Sequence, residues 1–446
     1  MRGALVVVAA ATLTLAACGS KSADGGSSNA NAGGGGTTQT TETGSAGGGA
    51  AGSAAGGGDS SAASGGGSAA ASGGGTASGG ATAIKPVEQI SPEGAKVEQK
   101  SASNAANPAG DGKAKCSGVN IGMAGALTGA NAALGINILN GAKVAIDEHN
   151  KANPDCQVQI KQFDTEGDPQ KATQVAPSIV NDKTVVGLLG PAFSGETKAT
   201  EPIFSQAGLL SLTASATNPD LTKQGWKNFF RGLGNDNSQG GAIANYMTKE
   251  LGYKKICVVQ DDSDYGVGLA KVVTETLGDA ADSSCAAKVK TGDKDFSATV
   301  NQIKGASPDA VYYAGYYAEA APFVSQLRGA DVKATFVSAD GTNDPQFVKQ
   351  AGNAASGAIL TCPCGPAPAD FAKKYQDLNK IAPGVYSVDA YDLTTIMLKG
   401  IDSGITDRAK LIDYVKSYEG QGLAKDYKWD DTGELAVANP WVYKVG

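Results

Sequence analysis

The chain has 446 residues, with 44 acidic and 37 basic side chains and a formal net charge of −7. That balance excludes the basic face of a nucleic-acid binder. Residues 116–446 are enough for two lobes of ordinary domain size, whereas the composition before them is of another kind.

Arg2 gives a short positive start, and Ala4 to Ala16 form an apolar run of Ala, Val and Leu. The run is too short to span a bilayer and ends in small residues, as export signals do. Its last part, Leu15-Ala16-Ala17-Cys18, resembles the lipobox of bacterial lipoproteins. That resemblance implies a signal peptide over residues 1–17, removed before Cys18, and a lipid anchor on Cys18 that holds the protein extracytoplasmically at the cell membrane. From Gly19 to Ala83 the chain is Gly, Ser, Ala and Thr with a few charges, and it contains no Leu, Val, Ile, Met or aromatic residue. Such a segment cannot bury enough apolar surface to offset its ordering entropy. As a Gly/Ser coil it reaches on the order of 45 Å. Pro86, Pro92 and Pro108 extend the expectation, so residues 18–115 read as an anchored, disordered linker.

From Cys116 strands and helices alternate. Val119 to Met123 reads as a buried strand, and Leu134 to Asn150 as a helix with Leu139, Ala142, Ala145 and Ile146 at helical spacing. Val158 to Phe163 alternates as a strand, and Asp168-Pro169 opens a helix as N-cap and first residue. Val185 to Leu189 and Leu209 to Leu212 are further strands. The rhythm restarts with Lys255 to Gln260, a helix through Gly268 to Leu277, a strand at Ala286 to Val289, a helix from Asp295, and a strand at Ala310 to Ala314. Repeated βα units imply parallel sheets with helices on both faces.

Six cysteines remain beside Cys18, an even number in an oxidising compartment. Composition leaves their connectivity open. Position suggests two pairs, Cys116 with Cys156 and Cys257 with Cys285, each in or just before consecutive strands; a small ring between Cys362 and Cys364 is a separate hypothesis, against pairing elsewhere or staying reduced.

Ligands in α/β sheets bind beyond the carboxyl ends of the strands. Here those exits are Gly-, Ser- and Thr-rich turns with few candidate catalysts, so no catalytic residue, cofactor or metal site is expected. The single histidine, His149, stands beside Asp147, Glu148 and Asn150, where a solvated helix end is its expected role; no Ser–His or Cys–His pairing is offered. Asp164, Glu166 and Asp168 lack the glycine and distal glutamate of a calcium loop. No glycine-rich turn carries the Lys-Ser/Thr of a phosphate loop or a dinucleotide fingerprint.

The exits Ala216-Thr217-Asn218-Pro219-Asp220-Leu221-Thr222, Tyr265-Gly266-Val267-Gly268-Leu269-Ala270, Lys294-Asp295-Phe296-Ser297-Ala298 and Val311-Tyr312-Tyr313-Ala314-Gly315-Tyr316-Tyr317, in that order and spacing, resemble the Leu/Ile/Val-binding proteins of ABC importers. The resemblance runs from about Gly118 to the carboxyl terminus. It implies two Rossmann-like α/β lobes closing as a clamshell, residues 116–235 with 362–423 and residues 236–361 with 424–446. Three hinge crossovers would fall near Asn235, Cys362 and Leu423. It also implies a monomeric receptor that delivers a small amino acid to a permease and its ATPases.

The same resemblance assigns roles. Ser194, with Gly195, meets the ligand carboxylate where a hydroxyl and free backbone N–H groups face the positive end of a helix. Thr217 lies beside the ligand with Ser215 and Ala216 of its turn. Asp340 pairs with the ammonium, and Tyr265 and Tyr316 close the pocket from the second lobe. Three positions depart from the family pattern: Asp340 where glutamate is frequent, Leu134 where a large aromatic is expected, and Phe193 where a small residue is common. They bear on the ligand's side chain. Urea-, amide- and aromatic-acid-binding relatives share these turns, and a ligand-sensing receptor can use the same fold.

Overall fold

The computed structural model describes residues 83–98, 102–436 and 439–446. The signal segment, Cys18 and the linker as far as residue 82 lie outside the described residues.

The first sheet is built from β3 (Asn120–Gly125), β4 (Gln159–Asp164), β5 (Val185–Leu189), β6 (Leu210–Thr213) and β7 (Phe229–Arg231), after the edge strands β1 (Ile84–Ile90) and β2 (Lys96–Val97) of the second. Its order is β4-β3-β5-β6-β7, all parallel. Every residue of β5 is buried, as a strand covered on both faces requires. The helices between these strands are α1 (Ala132–Ala152), α2 (Pro169–Asn181) and α3 (Ser194–Gln206). Asp168 caps α2, its carboxylate accepting from the Lys171 amide at 2.8 Å.

The second half runs α4 (Asp236–Asn245), β8 (Ile256–Gln260), α5 (Asp264–Leu277), β9 (Ala287–Lys288), α6 (Ser297–Ala306), β10 (Ala310–Ala314), α7 (Tyr317–Gly329), β11 (Thr335–Ser338), α8 (Pro345–Ala351) and β12 (Ile359–Cys362). The chain then returns to the first lobe with α9 (Ala369–Asn379), α10 (Ser387–Asp402), α11 (Arg408–Lys416) and the hairpin β13 (Glu419–Gln421) and β14 (Asp426–Lys428), and ends in β15 (Trp441–Val445). The second sheet has the order β2-β1-β15-β12-β11-β10-β8-β9. Its body from β12 to β9 is parallel, but β15 and β1 add antiparallel strands at one edge. Helix α1 lies along α10, close enough that a Cβ on Gly141 would sit 2.1 Å from the Ser387 carbonyl oxygen.

Three expectations are corrected. The linker does not extend to residue 115: Ile84–Ile90 pairs with Trp441–Val445, and Ile90 is fully buried. A segment poor in apolar residues gains order there from the open edge of a strand, with a bulge between Pro86 and Glu88 that leaves Val87 exposed. The third crossing is not near Leu423. Residues 424–435 stay with the first lobe, where Trp429 packs on Phe230 and the Arg231 amide donates to the Gly433 carbonyl at 2.9 Å.

His149, third, is not solvated but fully buried. Its Nε2 is 2.8 Å from an Asp402 carboxylate oxygen and its Nδ1 3.0 Å from Asn150 Oδ1. Asn150 Oδ1 also accepts from the Val158 amide while Asn150 Nδ2 donates to the Val158 carbonyl, so its oxygen is fixed as an acceptor. Both ring nitrogens therefore face acceptors, an arrangement that favours the protonated ring. Burial opposes that charge, but the Asp402 and Asn150 hydrogen bonds hold the pKa above its ordinary value.

Disulfides join Cys116 to Cys156, Cys257 to Cys285 and Cys362 to Cys364. Residues 83–446 fall within one compact unit, Thr76–Gly446. No helix among the described residues is long and apolar enough to cross a membrane.

Candidate functional site

On the first lobe, the loops leaving β5 and β6 are sewn together by their hydroxyls. Ser211 Oγ donates to the Gly190 carbonyl at 2.6 Å, Thr213 Oγ1 to the Pro191 carbonyl at 2.8 Å, and Ser215 Oγ to the Ala192 carbonyl at 2.5 Å. This brings Ser215 beside the start of α3, whose first residue is Ser194. The backbone N–H groups of that first turn have no partner inside the helix. Glu196 reaches back to take the Phe193 amide at 3.1 Å and the Thr165 hydroxyl, and burial pushes its carboxyl up to about 7. Its own charge is thus muted at a helix end that favours an anion.

Beneath the β6 turn lies Arg231, fully buried at the end of β7. Its guanidinium donates to the carbonyls of Ala216 and Asn218 and forms an ion pair with Glu434 at 3.0 Å. Sequence reasoning missed it. A charged residue ending the apolar run Phe229-Phe230 was the available signal.

On the second lobe, Asp340 begins a single turn of 3₁₀ helix after β11 and is 1% exposed. One carboxylate oxygen accepts from Tyr265 Oη at 2.7 Å and Gln239 Nε2 at 2.5 Å; the other accepts from Tyr386 Oη at 2.6 Å. Burial raises the Asp340 pKa, opposed by those three donors. Gln239 also donates to Asp236 at 3.0 Å, so one amide bridges two buried carboxylates. Burial and the Asp340 charge push Asp236 up to about 7. Tyr386 holds a left-handed backbone, φ 69°, before α10. Nothing in the local pattern Gly384-Val385-Tyr386-Ser387 marked it.

The lobes meet over this site. The Tyr316 ring stands edge-on to Phe193 at 5.0 Å and tilted against Tyr265 at 5.1 Å. At one lip Lys198 pairs with Asp264 at 2.6 Å, and Asn218 Nδ2 donates to the Asp264 carbonyl at 2.7 Å. At the other, Asn137 Nδ2 donates to Asp344 at 2.8 Å, and the Ala133 amide donates to Tyr317 Oη at 3.3 Å.

The enclosed cavity, about 10 Å³, is lined by Leu134, Ala192, Phe193, Ser194, Ser215, Tyr265, Tyr316, Asp340 and Tyr386. In this closed form it has room for about one water, so anything larger enters only when the lobes part. Five sequence candidates, Ser194, Ser215, Tyr265, Tyr316 and Asp340, therefore converge from both lobes. Gly195, Ala216 and Thr217 do not line it. Gly195 faces Pro169 and Asp264 at the lip, Ala216 gives its carbonyl to Arg231, and Thr217 is fully buried, its carbonyl accepting from the Asp236 amide.

A larger hollow of about 1120 Å³ flanks the hinge, between Glu98, Pro363, Asp370 and Leu423. Its lining alternates acids, bases and apolar groups and contains none of the converging residues.

Over residues 118–446 the chain matches a family model described as periplasmic binding protein. It is similar to the leucine-, isoleucine-, valine-, threonine-, and alanine-binding protein of Pseudomonas aeruginosa, with 30% identity over 334 residues, 73% of this chain and 89% of the relative. The Leu/Ile/Val-binding protein of Escherichia coli is 29% identical over 337 residues, 71% of this chain and 88% of that one. Among solved structures, the branched-chain amino acid transporter substrate binding protein LivJ of Streptococcus pneumoniae, in complex with isoleucine, superposes with a TM-score of 0.68 at 27% identity, over 74% of this chain and 99% of that one. A two-lobed α/β fold with its polar groups gathered between the lobes, matched along that length, identifies the chain as a periplasmic binding protein of the branched-chain amino acid-binding family, a family of receptors and not of enzymes.

Proposed function

We propose that this protein is the extracytoplasmic receptor of an ABC importer, carried on the lipid-bearing Cys18, and that it captures a small aliphatic amino acid for the permease and its ATPases. The carrying observation is the placement of Asp340 across a closing cleft from Ser194 and the start of α3. A carboxylate at the helix end and an ammonium at Asp340 satisfy both sides at once, since each charge finds a fixed counterpart in a water-poor site. Leu134, Phe193, Tyr316 and Tyr386 then surround the side chain with apolar surface. The names of the similar proteins support the branched-chain class.

The test is a thermal-shift panel of leucine, isoleucine, valine, alanine, acetamide, urea and benzoate. An amino acid at about 100 times its dissociation constant adds roughly 2.7 kcal/mol of stability. Stabilisation by an aliphatic amino acid and not by the others supports the reading. A shift with urea, acetamide or benzoate alone overturns it.

A further inference from the structure

The family match begins at residue 118, yet residues 83–98 and 102–116 are built into the fold. These two halves of an amino-terminal arm dock on different lobes. The first half belongs to the second lobe. Ile84–Ile90 pairs with β15, and the Ile90 amide donates to the Pro440 carbonyl at 2.9 Å. Its turn packs on α4 and the helical turn that follows: Asn245 Nδ2 donates to the Pro92 carbonyl at 3.0 Å, and Tyr246 Oη to Glu88 at 2.8 Å. Gly94, φ 84°, lies so close that a Cβ there would be 2.6 Å from the Tyr246 nitrogen.

The second half belongs to the first lobe. The amides of Asn104 and Ala106 donate to the side-chain and main-chain oxygens of Gln421, each at 2.7 Å. Asn153 holds the Ala109 carbonyl and the Ala114 amide, each at 3.0 Å. Cys116 is then bonded to Cys156 at the end of α1.

We infer that this arm is a fourth covalent connection between the lobes, a strap that limits how far the cleft opens. The halves are joined by residues 99–101 alone, so the Cα atoms of Glu98 and Ala102 can never be more than about 15 Å apart. Both border the hollow beside Pro363, which follows β12 at the second crossing. Hinge motion is absorbed by a few residues in each crossing strand. An additional short crossing docked firmly at both ends restricts the bending and twisting that the other three allow. The strap shifts the balance toward the closed form, whatever ligand the cleft takes.

The experiment inserts a Gly/Ser segment of about 12 residues, reaching on the order of 20 Å, between Lys100 and Ser101 of the full chain. Both docked halves stay intact and only their separation is freed. The same segment between Ser78 and Gly79 is the control. Amide hydrogen exchange is followed, without ligand, in the facing lip segments 131–137 and 263–268, together with the thermal midpoint. The strap predicts exchange several-fold faster in the Lys100/Ser101 insertion than in the control, at a similar midpoint. Deleting Gln99, which shortens the link, predicts slower exchange. If the insertion and the deletion both exchange like the control, the arm is decoration on two lobes and the inference is wrong.

Discussion

The Tyr386 hydroxyl donates to Asp340 at 2.6 Å, so a residue at the start of the first-lobe helix α10 holds the second-lobe acid across the cleft. Tyr386→Phe removes one of three donors that keep this buried carboxylate ionisable. Its pKa then rises further, and a protonated Asp340 cannot pair with an ammonium. We expect amino-acid affinity to fall by about 1–2 kcal/mol. The loss should be larger at pH 6 than at pH 8, because acid favours the protonated form. Calorimetric titration at the two pH values checks the sign; an equal loss at both would detach Tyr386 from the charge of Asp340.

Asp340→Ala should weaken an α-amino acid by about 2–5 kcal/mol, since it strands a desolvated ammonium. Asp340→Glu should be milder, because the charge is kept and displaced by one methylene. Dissociation constants for leucine measured on both variants decide this. Unchanged affinity in the alanine variant would place the ammonium elsewhere.

Asn137 touches Asp344 across one lip. Asn137→Ala leaves a mostly buried carboxylate oxygen without its donor whenever the cleft shuts, at a cost of about 1–3 kcal/mol. Ligand release should accelerate by roughly 5- to 150-fold. Stopped-flow fluorescence with leucine reads that rate, and an unchanged rate would mean the pair does not hold the closed form.

Glu201 is fully buried, and burial raises its carboxyl from 4.5 to about 8, against the hydrogen bonds of Ser211 and Asn228. The folded chain thus keeps a proton that the unfolded chain gives up above 4.5. Its contribution to stability is lost as pH rises from there to about 8. Glu201→Gln has no proton to lose, so it should be near neutral at pH 4.5 and stabilise by a few kcal/mol at pH 7.5. Urea midpoints at both pH values test this. A variant no more stable at pH 7.5 than the native chain would show that Glu201 is ionised in the fold.

Cys18→Ser should release the protein to the medium or leave an uncleaved precursor, because a lipid on that sulfur is the proposed anchor. A processed variant that stays with the membrane at high salt would contradict the anchor.

What the sequence revealed follows from where strands end. Ser194, Ser215, Tyr265, Tyr316 and Asp340 are spread over nearly 150 positions, yet each follows a strand, and parallel strands deliver their exits to one edge. Gln239 was not legible because it reaches Asp340 from a helix 101 positions away, and Tyr386 because it comes from the other lobe, at the turn before α10. The order of Ile84–Ile90 was hidden because its partner strand, Trp441–Val445, lies at the other end of the chain. His149 misled for a similar reason. Its neighbours Asp147 and Glu148 are polar, but the group that accounts for its burial is Asp402, 253 residues away. Thr217 was read from a motif as lying beside ligand; here its carbonyl takes the amide of Asp236 and its side chain is not among the residues lining the small cavity.

In the proposed function, one buried acid and one helix end grip the two charges of an amino acid. The decisive measurement titrates the protein with leucine, and separately with the leucine skeleton lacking its amine. Leucine should bind one-to-one, and the amine-free acid at least about 30-fold more weakly, with the difference abolished in Asp340→Ala. Equal binding of the two by the native protein would contradict the claim.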